Sequence, residues 1–498
     1  MKRTLLANLG FLLQISGLLS IIPIPLAFLL GEHEALVAIS LGCVCFLGLG
    51  FLLNALCERK DLDFKSSCVF IVLAFTLMPL IGSIPFNYLD PFNSTNPLDR
   101  FTNAYFESIS GFTTTGFSLV SSSASLPKSL LLYRSLIELM GGVGIVFLLL
   151  VFFHSDDSLN SLSNALGVEN FGEHLKKTFS IIFMVYSACI ALFTVALYIL
   201  GIRDVITAVT LAIDTLTGGF QPPLVELQNI ITFPMRICLL LLMFLGSVNF
   251  SFIYHLITRK LIKIPKEIQL YIIIIATGSL LVTILSGTNL FDSLFHVVSM
   301  SSSTGFDYIG IPTMNTTVVS IFLLIGLLGG CGFSMAGGIK MFRLLDFFRS
   351  VRNSVIETVR EEEYISIEPP VKEEKRVEIL TTNVSIILFL GTLFVFSTLF
   401  TSIGVSFSDA LFEVGSALTT NGVSMGVTTA SMPVGYKYLL MIAMIIGRVE
   451  ITAILVSLYT QENVLEEMSY NALKRIEFFI REILGYFKYL ITVKRHVK

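Results

Sequence analysis

Ten apolar runs, at roughly 5–30, 35–56, 67–86, 130–153, 178–200, 231–257, 268–287, 316–338, 380–403 and 434–459, leave this chain of 498 residues little room to fold in water. Each is long enough, at ~20 residues, to cross the hydrocarbon core of a bilayer as a helix. Charged residues make up 14% of the chain and mean hydropathy is +0.81, where a soluble domain carries about 25% charged residues. No soluble core absorbs that much apolar surface, so the chain reads as a polytopic membrane protein. The basic start, Lys2 and Arg3, resembles that of a signal peptide. Its apolar run is too long for an h-region and no A-x-A site follows, so a retained first helix is expected. Trp is absent, which leaves Tyr and Phe to form the interfacial belts.

Ten crossings put both termini on one side. With the termini and the loops after spans two, four, six and eight assigned inside, the inner segments hold 26 of the 33 Lys and Arg. The outer connections hold 3, and Arg134, Arg236, Lys437 and Arg448 lie within the spans. The positive-inside rule then sets both termini in the cytoplasm. The net charge of −3 gives no pointer to nucleic acid. Seven cysteines, mostly inside apolar runs, form neither a disulfide framework nor a spaced metal motif.

Four outer connections carry a half-polar segment ending in a similar motif: "DRFTNAYFESISGFTTTGF", "RDVITAVTLAIDTLTGGF", "FDSLFHVVSMSSSTGFD" and "FSDALFEVGSALTTNGVS". Aligned on the terminal glycine they give Gly116, Gly219, Gly305 and Gly422, preceded by Thr115, Gly218, Thr304 and Asn421. Phe117, Phe220 and Phe306 follow the first three and Val423 the fourth. The second motif has two glycines, so Gly218 is an alternative to Gly219; the alignment of Phe220 favours Gly219. The repeated unit is span, short amphipathic helix, hydroxyl-glycine strand, span. Gly, Ser and Thr are common in membrane helices, but four copies at equivalent topological places are hard to obtain by accident.

A segment of a dozen residues is too short to span and must enter and leave on one side. Non-helical backbone at that depth survives only against protein or a water-filled cavity, which four hairpins around one axis supply for each other. Glycine permits positive φ, so that successive carbonyls turn the same way. Rings of carbonyls can replace a cation's hydration shell, as in potassium-channel filters. The short helices aim negative C-terminal ends at the same place. The fold expected is an all-α membrane protein, with four helix–pore loop–helix repeats around a pseudo-fourfold pore, preceded by two extra transmembrane helices. The divisions are a prefix (1–66), repeats at 67–153, 178–257, 268–350 and 380–460, and a C-terminal tail (461–498).

With "YRSLIELMGGVGIVFL", "GGCGFSMAGGIKMFR" and "GRVEITAILV" beside the four motifs, nearly the whole chain resembles the Trk/Ktr/HKT superfamily of potassium uptake proteins. The two extra spans make it look like a TrkH-type membrane subunit rather than the shorter KtrB. The resemblance implies potassium as the transported ion, held at Gly116, Gly219, Gly305 and Gly422, because glycine rather than serine at the first position goes with potassium selectivity. It also implies a homodimer and a cytosolic TrkA-like nucleotide-binding regulatory subunit. No P-loop or Rossmann fingerprint occurs in this chain; "GGVG" at 141–144 lacks the spacing. No cofactor is expected.

Within span eight, Gly326, Gly329, Gly330, Gly332, Gly337 and Gly338 precede Lys340. Each interior glycine costs a helix about 1 kcal/mol relative to Ala, so a broken segment is expected, with tight helix packing as the alternative. The resemblance makes this stretch an intramembrane gate and puts Arg448 near it, as part of the barrier to cations. Arg448 in an ion pair with Glu138 or Glu450 is the other reading. Glu107, His296 and Glu413 each lie nine residues before a motif glycine and read as hydrogen-bonding groups behind the strands. Asp307 either concentrates cations at the outer mouth or is a solvated loop carboxylate. The mixed-charge loop after span eight is a lever for a soluble regulator, and the basic C-terminal segment either lies on the inner leaflet or packs as a helix.

Competing classes are a sodium- or proton-coupled cation symporter of the same fold, a secondary transporter of an organic solute, and an intramembrane enzyme. The second would show inverted repeats, whereas these share one orientation. For the third, no GxSxG, HExxH or paired intramembrane aspartates occur.

Overall fold

The computed structural model describes residues 2–57, 62, 64–94, 96–120, 126–152, 175–221, 232–258, 264–360, 373–451 and 453–457. Among them the only regular structure is helical. Six helices are long and apolar enough to cross a membrane, and one bent pair adds a seventh candidate. The part of the lever between Arg360 and Glu373, and the C-terminal tail, lie outside the described residues.

Lys2–Ser20, Pro23–Leu30 and His33–Leu56 form the prefix. Its two long helices cross backbone to backbone: a Cβ on Gly50 would lie 2.8 Å from the Gly10 carbonyl. Small residues give such close helix packing in lipid. Glu32 joins the prefix to the first repeat, accepting the Lys128 and Ser129 N–H groups at 2.8 and 3.0 Å. A carboxylate there caps the otherwise orphan amides at the start of helix Lys128–Phe152 and complements its dipole.

The short helices are Pro97–Phe112, Val205–Thr217, Leu290–Ser301 and Phe407–Leu418. Asn96 and Ser406 start two of them by accepting from the Asp99 and Asp409 amides. All four are buried near their C-terminal ends, among the second spans of the repeats. Large apolar residues such as Leu192, Ile199, Ile284, Ile387 and Phe394 point outward, as a lipid-facing surface requires.

One glycine on each second span lets it approach a short helix. A Cβ on Gly141, Gly246 or Gly447 would strike the carbonyl of Phe112, Leu216 or Leu418. One on Gly326 would stand 3.7 Å from the Met300 carbonyl. The approach holds the C-terminal end of each short helix against its own repeat's second span.

Span six was expected to be continuous over 231–257 and is not. Between Phe233–Ser247 and Phe250–Ile257 the chain bends by 117°. Ser247 hydroxyl returns to the Phe244 carbonyl at 2.8 Å, and Asn249 caps the second piece through the Ser251 amide at 2.9 Å. The carbonyls of Gly246 and Ser247 freed by the break are taken by amides of Met335 and Cys331, at 3.1 and 2.9 Å. Breaks at membrane depth are tolerated where neighbouring protein satisfies the backbone in this way. In span eight the helix Thr316–Leu328 stops at Gly329, and helix Met341–Arg360 begins after the loop 329–340.

Candidate functional site: four strands and the loop beneath them

Three of the four strands are built alike. After each short helix the first hydroxyl folds back: Thr113 to the Ile109 carbonyl at 2.7 Å, Ser302 to Ser299 at 3.2 Å, Thr419 to Gly415 at 2.8 Å. The same hydroxyl then meets the side chain two residues on: Thr115 and Thr304 at 2.8 Å, Asn421 at 2.9 Å. These side chains brace the turn. Left-handed residues alternate with the others: Thr114 and Gly116 (φ 53° and 80°), Ser303 and Gly305 (59° and 68°), Thr420 and Gly422 (54° and 73°). The glycine is the cheap residue for such a φ.

The second strand differs. Its helix runs on to Thr217, and Gly218 carries the positive φ of 72°. Gly219, which Phe220 aligns with the other motif glycines, has no such φ.

The strands touch in a closed cycle. A Cβ on Gly116 would strike the Gly219 carbonyl, on Gly218 the Ser303 carbonyl, on Gly305 the Asn421 carbonyl, and on Gly422 the Thr115 carbonyl. Repeats one to four therefore stand in order around one axis, with the fourth against the first. Lys437 adds to that closure: its buried Nζ donates to Asn103 Oδ1 at 2.7 Å and to the Ala430 carbonyl at 2.6 Å.

Behind three strands stands a tether nine residues before the glycine. Glu107 accepts from the Leu119 amide at 3.0 Å and the Ser118 hydroxyl at 2.9 Å. Glu413 accepts from the Met425 amide at 2.8 Å, the Thr428 amide at 3.0 Å and the Ser424 hydroxyl at 2.7 Å. His296 accepts the Tyr308 amide at Nε2, 3.2 Å, while its Nδ1 faces the Asp292 carbonyl at 2.7 Å, an arrangement that fits the neutral Nδ1–H tautomer. All three are fully buried. Asp307 is no solvated loop carboxylate: it is buried and accepts the Ile309, Gly310 and Ile311 amides at 3.0, 2.9 and 2.7 Å.

Beneath the strands lies the loop 329–340. Gly329 and Gly338 take φ of 66° and 79°, and Lys340 one of 69°. A Cβ on Gly330 would come within 2.9 Å of the Ser247 carbonyl, and one on Gly337 would strike the Thr419 carbonyl. Gly332 donates its amide to Glu267 at the start of span seven. Lys340 Nζ turns back to the Ala336 carbonyl. Arg448 reaches across from span ten and donates to the Met335 carbonyl at 2.8 Å. It forms an ion pair with neither suggested carboxylate: Glu450 pairs with Arg343, and Glu138 bonds to the second strand.

Sequence reasoning missed Ser303, Glu267 and the freed carbonyls of Gly246 and Ser247 as partners of this loop. Only "GSVN" at 246–249, a glycine and a capping asparagine inside an apolar run, hinted at the break.

The family model described as "Cation transport protein", for TrkH, matches residues 260–466. An uncharacterized cation transporter of Methanocaldococcus jannaschii is 28% identical, over 90% of this chain and 93% of that protein. The Trk system potassium uptake protein TrkG of Escherichia coli is 26% identical, over 90% and 96%. The crystal structure of the potassium transporter TrkH from Vibrio parahaemolyticus superposes with a TM-score of 0.78 at 21% identity, covering 92% of this chain and 98% of that one. With a family match over residues 260–466, relatives aligned nearly end to end, and a fold in common, the chain is similar to the TrkH-like membrane proteins along nearly its whole length.

Proposed function

We propose that this protein carries potassium into the cell through the axis that the four strands surround. The observation that carries the reading is the closed cycle of strands, each with a left-handed glycine packed against a carbonyl of the next. With the hydroxyls of Thr113, Thr115, Ser302, Thr304 and Thr419 spent on bracing, backbone carbonyls are the ligands, the chemistry that replaces potassium's water in a filter. Carbonyls at Thr115, Gly116, Gly218, Gly219, Thr304, Gly305, Asn421 and Gly422 form the site, and no charged side chain is needed within it. The names of the relatives, potassium uptake proteins among them, support the choice of ion.

The loop 329–340, with Arg448 donating to it, is the gate. A guanidinium below the strands repels a cation leaving the filter, and retraction of the loop removes both obstacles. Potassium is cargo rather than a resident cofactor. Both termini face the cytoplasm, two copies assemble side by side, and a TrkA-like nucleotide-binding protein acts on the gate from the inside.

Uptake into proteoliposomes of potassium, rubidium, sodium and choline, with Gly116→Ser alongside, tests the reading. Potassium and rubidium should enter, sodium poorly and choline not at all, and Gly116→Ser should erode the preference over sodium. A chain that passes choline, or a Gly116→Ser variant as selective as the wild type, would refute the carbonyl filter.

A further inference from the structure

Strands one, three and four each hang from a side chain on their own short helix, but the equivalent place in the second repeat holds no such group, and the buried Asp214 of its short helix meets Ser135 and Glu138 instead. Nine residues before Gly219 stands Thr210, whose hydroxyl is spent on the Thr207 carbonyl at 3.1 Å. The second strand is held from elsewhere. Glu138, in the second span of the first repeat and fully buried, accepts the Phe220 amide at 2.6 Å and the Thr217 hydroxyl at 3.4 Å.

One helical turn earlier, Arg134 donates to Glu107 Oε1 at 2.7 Å and lays its guanidinium 3.7 Å from the centre of the Phe220 ring. Glu107 is the tether of the first strand. One face of one span therefore grips two neighbouring strands: the first through Arg134 and Glu107, the second through Glu138.

The doubled glycine of "TGGF" follows from the same contact. Gly218 supplies the positive φ, while a Cβ on Gly219 would strike the carboxyl group of Glu138. Each glycine has its own reason.

We infer that Glu138 is a positioning residue for ion selectivity, setting the carbonyls of the second strand against those of the first by accepting the Phe220 amide. The inference rests on the potassium-filter reading above. It requires a carboxylate's reach, and it does not require the charge to attract the ion.

Two variants separate these requirements. Glu138→Gln keeps a carbonyl oxygen at the same reach but is no longer an acid; Glu138→Asp keeps the carboxyl group but withdraws it by one methylene. Purified variants are reconstituted, and the potassium-to-sodium uptake ratio is read together with total flux and thermal stability. Loss of one buried hydrogen bond to the strand should lower the ratio in Glu138→Asp about five- to tenfold. Glu138→Gln should hold it within about twofold, on the same count of hydrogen bonds. A residue acting through its charge would give the reverse order, and one serving only the fold would change stability and flux while leaving both ratios at the wild-type value. Either result overturns the inference. A wild-type protein without potassium preference would fail the filter reading itself, and is recognised before any variant is compared.

Discussion

The Ser303 hydroxyl accepts the Gly337 amide at 2.8 Å and donates to the Thr419 carbonyl at 2.9 Å. One side chain on the third strand thus joins the loop 329–340 to the base of the fourth strand. Ser303→Ala leaves the Gly337 amide buried without that acceptor, a cost of about 1–3 kcal/mol borne by the closed loop. Flux in the absence of any regulator should rise roughly tenfold, since ~1.4 kcal/mol is a factor of ten in an equilibrium. Unchanged flux from a well-folded variant would mean that the contact does not hold the loop shut.

Gly305 and Gly422 combine positive φ with a neighbouring carbonyl where a Cβ would go. Gly404 has φ of 83° and nothing within 4 Å of such an atom. Alanine at 404 should cost ~1 kcal/mol of backbone strain and leave the potassium-to-sodium ratio alone. Alanine at 305 or 422 carries the same strain and also pushes two strands apart, so the ratio should collapse. Parallel melting curves and uptake ratios distinguish the two kinds of glycine.

Glu413 accepts four hydrogen bonds from Ser424, Met425 and Thr428, counting the Thr428 hydroxyl. Glu413→Ala strands these donors and should destabilise the protein by about 1–3 kcal/mol or more, the cost of leaving buried donors without their acceptor. Glu413→Gln should recover part of that loss. Equal melting temperatures for wild type and the alanine variant would contradict the tether.

Arg448→Gln shortens the reach to the Met335 carbonyl and removes the positive charge below the strands. Basal potassium flux should rise by about tenfold or more, the worth of one charged hydrogen bond to the closed loop, with selectivity intact because the strands are untouched. A fall in selectivity without a rise in flux would move Arg448 out of the gate and into the support of the filter.

The apolar runs were legible because length and hydropathy alone decide whether a helix crosses a bilayer. The motif glycines were legible too, being repeated four times at like positions. Span six was misread for the opposite reason. Its break depends on the amides of Cys331 and Met335, which come from another repeat and satisfy the carbonyls it frees. Glu138 was weighed as a partner for Arg448 because it is a carboxylate within a neighbouring apolar run. Its actual partner, the Phe220 amide, is a backbone group that no side-chain pattern reports. The alignment of Phe220 favoured Gly219 over Gly218 on paper, but it could not report that one answers to a dihedral angle and the other to a neighbour.

The contact of Gly422 with the Thr115 carbonyl pairs the last strand to be synthesised with the first. A chain emerging from the ribosome completes two of these contacts in sequence, and the circle stays open until the fourth hairpin enters the membrane and makes the other two. Long-range closures of this kind are slow to form, and here slowness is protective. A nascent chain with three hairpins has a gap in place of a wall, so ion binding should first arise when the chain's final quarter has been inserted.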